Sequence, residues 1–200
     1  MATPAQVRRA NALLKEVRAC TACEEHLPLG PRPILSLHPR AAVLVAGQAP
    51  GSRVHASGVP WDDPSGERLR EWMGVDAETF YDERRVALLP MGFCYPGQGS
   101  SGDLPPRPEC AELWLEKLLA HLPARRLTLL VGQYAQAHYL GDRRGRTLTE
   151  TVRGWREHFP EYLPLPHPSP RNNRWLSRNP WFADEVLPEL RAACAAALGD

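Results

Sequence analysis

Four short apolar runs, each closed by turn-forming residues, constrain this chain more than anything else in it. Residues 41–46 read Ala-Ala-Val-Leu-Val-Ala, residues 85–89 Arg-Val-Ala-Leu-Leu, residues 127–132 Leu-Thr-Leu-Leu-Val-Gly and residues 162–165 Tyr-Leu-Pro-Leu. A continuous apolar run, rather than an alternating one, is the pattern of a parallel strand buried on both faces. Between the runs lie segments of helical character. Residues 4–19 place Val7, Ala10, Leu13, Leu14 and Val17 at helical spacing; residues 65–73, 110–122 and 133–140 also read as helices. A last helix spans residues 181–198, with a kink expected at Pro188. Strands alternating with helices predict the α/β class, here a three-layer α/β/α sandwich around a central, mainly parallel four-stranded sheet. In such sheets ligands bind beyond the carboxyl ends of the strands. Residues 47–51 and 167–172 fall there.

The chain of 200 residues is long enough for one domain with a sizeable core and too short for two, so residues 1–200 are expected to form a single unit. No apolar run approaches the length needed to span a bilayer. Met1-Ala2-Thr3-Pro4 lacks the basic-then-apolar pattern of a secretory signal. The expectation is a cytoplasmic protein without a membrane partner. With 24 basic and 23 acidic residues the net charge is +1, so any nucleic-acid site must come from local clustering.

Three features carry chemistry. Gly47-Gln48-Ala49-Pro50-Gly51 closes the first strand, and His167-Pro168-Ser169 follows the last. Five cysteines stand at positions 20, 23, 94, 110 and 194. Stable disulfides are not expected in a cytoplasmic protein, and a CxxC pair with two further cysteines is a metal-site candidate. Buried thiols also act as small hydrophobes, and Cys194, among alanines on a helix, fits that reading. For Cys20, Cys23, Cys94 and Cys110 spacing alone leaves both readings open.

Taken in order, these motifs resemble those of the iron–sulfur (family 4-like) uracil-DNA glycosylases of bacteria and archaea. That family shows a GEAPG-like motif, a G-x-P-F segment, CxxC, two further cysteines and an HPS motif. The counterparts here are residues 47–51, Gly58-Val59-Pro60-Trp61, Cys20 and Cys23, Cys94 and Cys110, and residues 167–169. The resemblance covers nearly the whole chain. It implies a DNA-repair enzyme that acts as a monomer and flips a damaged base out of the duplex into a pocket. It further implies that Cys20, Cys23, Cys94 and Cys110 hold a [4Fe–4S] cluster. Trp61 would stack on the base. His167 would donate to the base oxygen where negative charge develops, and Gln48 would place a water. Gly47, Ala49, Pro50 and Gly51 would hold the base through their backbone. Ser169 and the segment after it match the loop that presses into the duplex.

Two departures mark this chain as divergent. The family's motif glutamate is Gln48, which can position a water but cannot take its proton. The classical uracil enzymes also have glutamine there, but an aspartate follows it; here Ala49 follows. The family's uracil-reading asparagine has no counterpart in Leu89-Pro90-Met91-Gly92-Phe93. Asp62, Asp63 and Glu67 could supply a replacement carboxylate, or could simply be acidic residues at a solvated helix start.

Residues 166–181 carry Arg171, Arg174 and Arg178 with no acidic residue, interleaved with Asn172, Asn173, Trp175 and Trp181, as suits a phosphate-gripping, base-wedging loop. Arg143, Arg144 and Arg146 form a second basic patch. Two functions follow as expectations: a glycosylase excising uracil or another deaminated base, or a DNA-binding, damage-sensing homologue that kept the fold and cluster without turnover.

Overall fold

The structure is a computed structural model that describes residues 2–100 and 102–199. Met1, Ser101 and Asp200, which belong to the expected single unit, lie outside the described residues; Met1 also belongs to the amino-terminal tetrapeptide and Ser101 to the loop before Cys110.

Four strands form one sheet: β1 (Val43–Ala46), β2 (Val86–Leu88), β3 (Leu127–Val131) and β4 (Tyr162–Leu165). Their order is β2-β1-β3-β4, and every pairing is parallel. Side chains alternate across the sheet, as the pleat requires. Val43, Val45, Val86, Leu88, Leu129, Val131, Leu163 and Leu165 enter one core. Leu44, Ala46, Ala87 and Leu130 enter the other. Both faces are covered, which is why the runs read as continuously apolar.

On the first face lie α3 (Pro64–Met73), α4 (Ala77–Tyr81), α7 (Leu148–Arg153) and α9 (Leu187–Leu198), through Leu69, Phe80, Val152 and Leu190 among others. On the second lie α1 (Pro4–Arg18), the helix ending in α5 (Glu116–Leu119), and α6 (Gln133–Leu140), through Leu14, Leu118 and Ala135. The amino end of α1 is held by a reciprocal cap. Thr3 Oγ1 accepts from the Gln6 N–H at 3.2 Å, and Gln6 Oε1 accepts from the Thr3 N–H at 2.7 Å.

Both sheet edges are closed. Outside β2, Ser36 exchanges two backbone hydrogen bonds with Leu88, at 3.0 and 2.9 Å. In β4 the carbonyls of Glu161 and Leu165 accept from β3 and the residue after it, so the alternate position, Pro164, faces outward.

Two helices differ from expectation. The one opened near Cys110 contains a π-turn at Ala111–Leu115 and ends at Leu119 rather than Leu122. The last helix, expected to kink at Pro188, changes its hydrogen-bonding pattern just before that residue. A π-turn at Phe182–Val186 precedes α9, whose first turn holds the proline, where no N–H is needed. Two further short helices, α2 (Ser52–Ser57) and α8 (Asn173–Arg178), flank the cavity described next.

Candidate active site

At the carboxyl end of the sheet, residues 47–51 leave β1 in a tight turn that leads into α2. The carbonyls of Gly47 and Gln48 accept from the N–H groups of Met91 and Gly92, at 3.0 and 2.9 Å, so the turn is tied to the segment after β2. A Cβ on Gly47 would lie 2.8 Å from Trp61 Cζ2; glycine is what lets the indole approach this turn.

Trp61 is held in an unusual state. Its φ is +59°, the left-handed region, at an ordinary cost of about 1–3 kcal/mol. The surroundings enforce it. Its carbonyl lies where a Cβ on Gly66 would be, 1.8 Å away, and the Tyr81 hydroxyl donates to the same carbonyl at 3.4 Å. The indole stacks towards His167, with ring centroids 5.8 Å apart and 27° between planes.

His167 follows β4. Buried Gln136 donates to the Leu165 carbonyl two residues earlier, at 2.9 Å. Asn172 Nδ2 donates to the His167 carbonyl at 2.7 Å. Arg68, from α3, donates to the carbonyls of Pro168 and Ser169 at 3.2 and 3.3 Å and to Asn173 Oδ1 at 2.8 Å. The Ser169 N–H donates to His167 Nδ1 at 3.2 Å. Desolvation pushes the imidazole pKa below its usual value, with nearby Asp63 opposing the shift. A neutral ring whose Nδ1 accepts carries its proton on Nε2.

These elements line a small cavity of about 40 Å³, open to solvent. All five residues of the 47–51 turn line it, together with Trp61 and His167. So do Asp63 and the apolar groups Ile34, Val54, Pro60 and Pro90. The geometry separates the three carboxylates: Asp63 is on the wall, whereas Asp62 and Glu67 are not among the lining residues. Asp63 also caps α3, one oxygen accepting from the Gly66 N–H at 2.8 Å. Gln48 Nε2 donates to the Leu104 carbonyl at 3.4 Å.

The basic loop lies at this end too. Ser169 Oγ accepts from the Arg171 N–H at 3.3 Å and caps a short 3₁₀ turn, Pro170–Asn172. Arg171, Arg174 and Arg178 are exposed. The Arg171 guanidinium lies against Gly102, where a Cβ would meet Nη1 at 2.5 Å, and its charge acts on Asp103, a carboxylate beside Gly51. The expected interleaving of aromatics does not hold as a wedge. Trp175 and Trp181 turn inward against Phe182, and Trp175 Nε1 donates to Thr149 Oγ1 at 2.8 Å. The second patch is elsewhere: Arg143 covers the ring of Tyr162, the first residue of β4, at the opposite end of the strand from His167.

Cys20 and Cys23 follow α1, Cys94 lies in the loop after β2, and Cys110 sits at the helix start beyond it. Two N–H donors point at sulfur: Phe93 N to Cys110 Sγ at 3.4 Å and Trp114 Nε1 to Cys20 Sγ at 3.3 Å. Burial pushes the thiols of Cys94 and Cys110 up to about 11 and about 12, and repulsion from Cys23 and Cys20 adds to both shifts. Among the described residues no group of three or more His, Cys, Asp or Glu side chains is arranged to hold a metal ion. Cys194 stands apart in the core of the first face.

A parallel sheet covered by helices on both faces, with a cavity walled by the post-β1 turn and the post-β4 histidine, defines a three-layer α/β fold. The family model of the uracil DNA glycosylase superfamily matches residues 36–191, and the chain belongs to that superfamily. The match begins after Cys20 and Cys23. Among solved structures, the chain is similar to the solution NMR structure of a candidate uracil DNA glycosylase from Methanosarcina acetivorans. Identity is 15%, covering 80% of this chain and 98% of that one, with a TM-score of 0.46, a likeness too loose to carry an argument about function. No helix among the described residues is long and apolar enough to cross a membrane.

Proposed function

We propose that this chain is a DNA glycosylase that hydrolyses the N-glycosidic bond of uracil or another deaminated base flipped out of DNA. One observation carries the reading: a neutral histidine donor and a carboxylate, His167 and Asp63, share the wall of one cavity with an aromatic platform, Trp61. As the bond breaks, its electron pair leaves with the base and the sugar becomes cation-like. His167 Nε2–H donates to the base oxygen on which the charge collects. Asp63 faces the electron-poor sugar and takes the proton of the water that adds to it. Gln48 then has a lesser part, orienting groups at the rim, and the motif carboxylate missing from residues 47–51 is supplied from the start of α3. The protein would act as a monomer in the cytoplasm.

The same proposal assigns Cys20, Cys23, Cys94 and Cys110 to a [4Fe–4S] cluster. Support comes from four thiols close enough to repel one another and from N–H donors aimed at two of the sulfurs. A single ion at about 2.3 Å from each sulfur would need a tighter set; a four-iron cluster takes wider-spaced sulfurs. When bound, the cluster would tie the end of α1 to the 94–110 loop.

The test is incubation of purified protein with oligonucleotides carrying uracil, hypoxanthine or xanthine, followed by detection of abasic sites. Excision of at least one base is expected. Tight binding to damaged DNA with no abasic product would overturn the enzyme reading in favour of a damage-sensing protein.

A further inference from the structure

The histidine of the cavity has a support that is not among the lining residues. Arg68, half-buried on α3, directs Nη1 at three acceptors of the loop after β4. They are the carbonyls of Pro168 and Ser169, at 3.2 and 3.3 Å, and Asn173 Oδ1, at 2.8 Å. Among the described residues Arg68 pairs with no carboxylate. A charged donor turned on backbone carbonyls is a stronger tie than a neutral one.

We propose that Arg68 is a positioning residue that sets the tautomer and aim of His167 through the Pro168–Ser169 peptide. The inference rests on the glycosylase reading above and adds to it the group that holds the histidine donor in its working state.

One peptide unit joins the two side chains. Its carbonyl, that of Pro168, accepts from Arg68 at 3.2 Å, and its N–H, that of Ser169, donates to His167 Nδ1 at 3.2 Å. The unit is planar and trans, so its C=O and N–H point in opposite directions. Fixing the oxygen therefore fixes the line of the N–H. A cation at the oxygen also draws electron density from the amide, which makes the N–H a better donor. Both effects favour Nδ1 as the acceptor and place the ring proton on Nε2. Without Arg68 the peptide loses the tie that keeps it from turning, and the preference for the Nε2–H form weakens.

The place of Arg68 on α3 adds a second effect. Asp63 caps that helix, one oxygen accepting from the Gly66 N–H at 2.8 Å, and Arg68 follows little more than one turn later. One rigid element thus holds both the carboxylate of the cavity wall and the loop that carries the imidazole. Arg70, on the same helix, directs its Nη1 instead at the Tyr81 hydroxyl, at 3.3 Å.

Wild type, Arg68→Met and Arg70→Met, with labelled histidine nitrogens, would be compared by NMR where the ring is neutral. Methionine keeps an unbranched apolar stem on the helix, so Arg68→Met should fold. Its His167 should lose the single Nε2–H form and exchange between both tautomers, while Arg70→Met keeps the wild-type pattern. Single-turnover excision at saturating DNA should fall about ten- to a hundredfold in Arg68→Met, the range for losing the partner that orients a metal-bound imidazole. The DNA concentration giving half the maximal rate should barely change. Ethylguanidinium added to Arg68→Ala should restore both the tautomer and the rate. An unchanged Nε2–H form in Arg68→Met would overturn the proposal, even with a lower unfolding temperature, because a merely structural tie affects stability alone. The same tautomer exchange in Arg70→Met would overturn it too. The glycosylase reading fails separately, when wild type excises no base while the NMR result still stands.

Discussion

The Ser169 N–H donates to the imidazole Nδ1 of His167, two residues back in the same loop, at 3.2 Å. This short contact decides which nitrogen presents a proton to the cavity. It also makes acid costly, because protonating Nδ1 would set two donors against each other.

Nitrogen NMR should therefore find His167 in the Nε2–H form, titrating below the usual histidine value of about 6.5. The sign follows from the depressed folded pKa. The stability that His167 contributes is fully present above the unfolded value and is lost as pH falls through the folded one. Thermal unfolding of the wild type should drop on acidification below about 6.5, and less so in His167→Gln. A ring titrating above that value would remove the neutral-donor assignment.

Asp63 has two tasks that substitutions can separate. Asn caps a helix about as well as Asp, so Asp63→Asn should fold normally, while Asp63→Ala should cost about 1 kcal/mol. Both should lose excision, because neither can take a proton from water. Single-turnover rates beside unfolding curves check this. His167→Ala should lose on the order of 10²–10³ in rate, the typical loss for one oxyanion donor, and Gln48→Ala less. Near-wild-type excision by Asp63→Asn would return the search to another carboxylate.

Gly66 should be intolerant of any side chain, because a Cβ would meet the Trp61 carbonyl at 1.8 Å. Gly66→Ala should destabilise the fold by about 3 kcal/mol, at the upper end for overpacking, and dislodge the indole from its place beside Gly47. Calorimetry and tryptophan fluorescence would show both effects.

Arg171→Ala combined with Arg174→Ala should weaken DNA binding and flatten its salt dependence. Each lost phosphate contact should change the log–log slope by about 0.9. An unchanged slope would place the DNA on another surface.

Anaerobically purified protein should be brown and carry about four irons per chain, the complement of a Cys₄-ligated cubane. Serine at position 23 or 94 should abolish the colour, and serine at 194 should not. Stoichiometric zinc without iron would sink the cluster assignment.

The strands were legible because burial on both faces leaves a continuous apolar run, which survives as a local signal. The end of β1 and the start of His167's loop followed from that. Asp63 could be shortlisted but not chosen, since Asp62, Asp63 and Glu67 differ only in where the helix start points them. Arg68 and Gln136 were missed; each acts on a carbonyl in a distant segment, and a backbone partner has no sequence signature. Trp175 misled for a physical reason. Arginines and tryptophans alternating along a loop resemble a nucleic-acid surface, but α8 sends the arginines outward and Trp175 into the core.

The closed edges of the sheet have a wider consequence. With Ser36 seated on β2 and Pro164 withholding a donor at the outer side of β4, neither flank offers a ladder that another chain could extend. Strand addition is thereby closed off as a mode of recognition, which leaves the loops above the strand ends as the place where the sheet meets a ligand. Those loops can exchange residues, as position 48 and the segment before Cys94 illustrate, while the scaffold beneath gains no route to self-association through its strands.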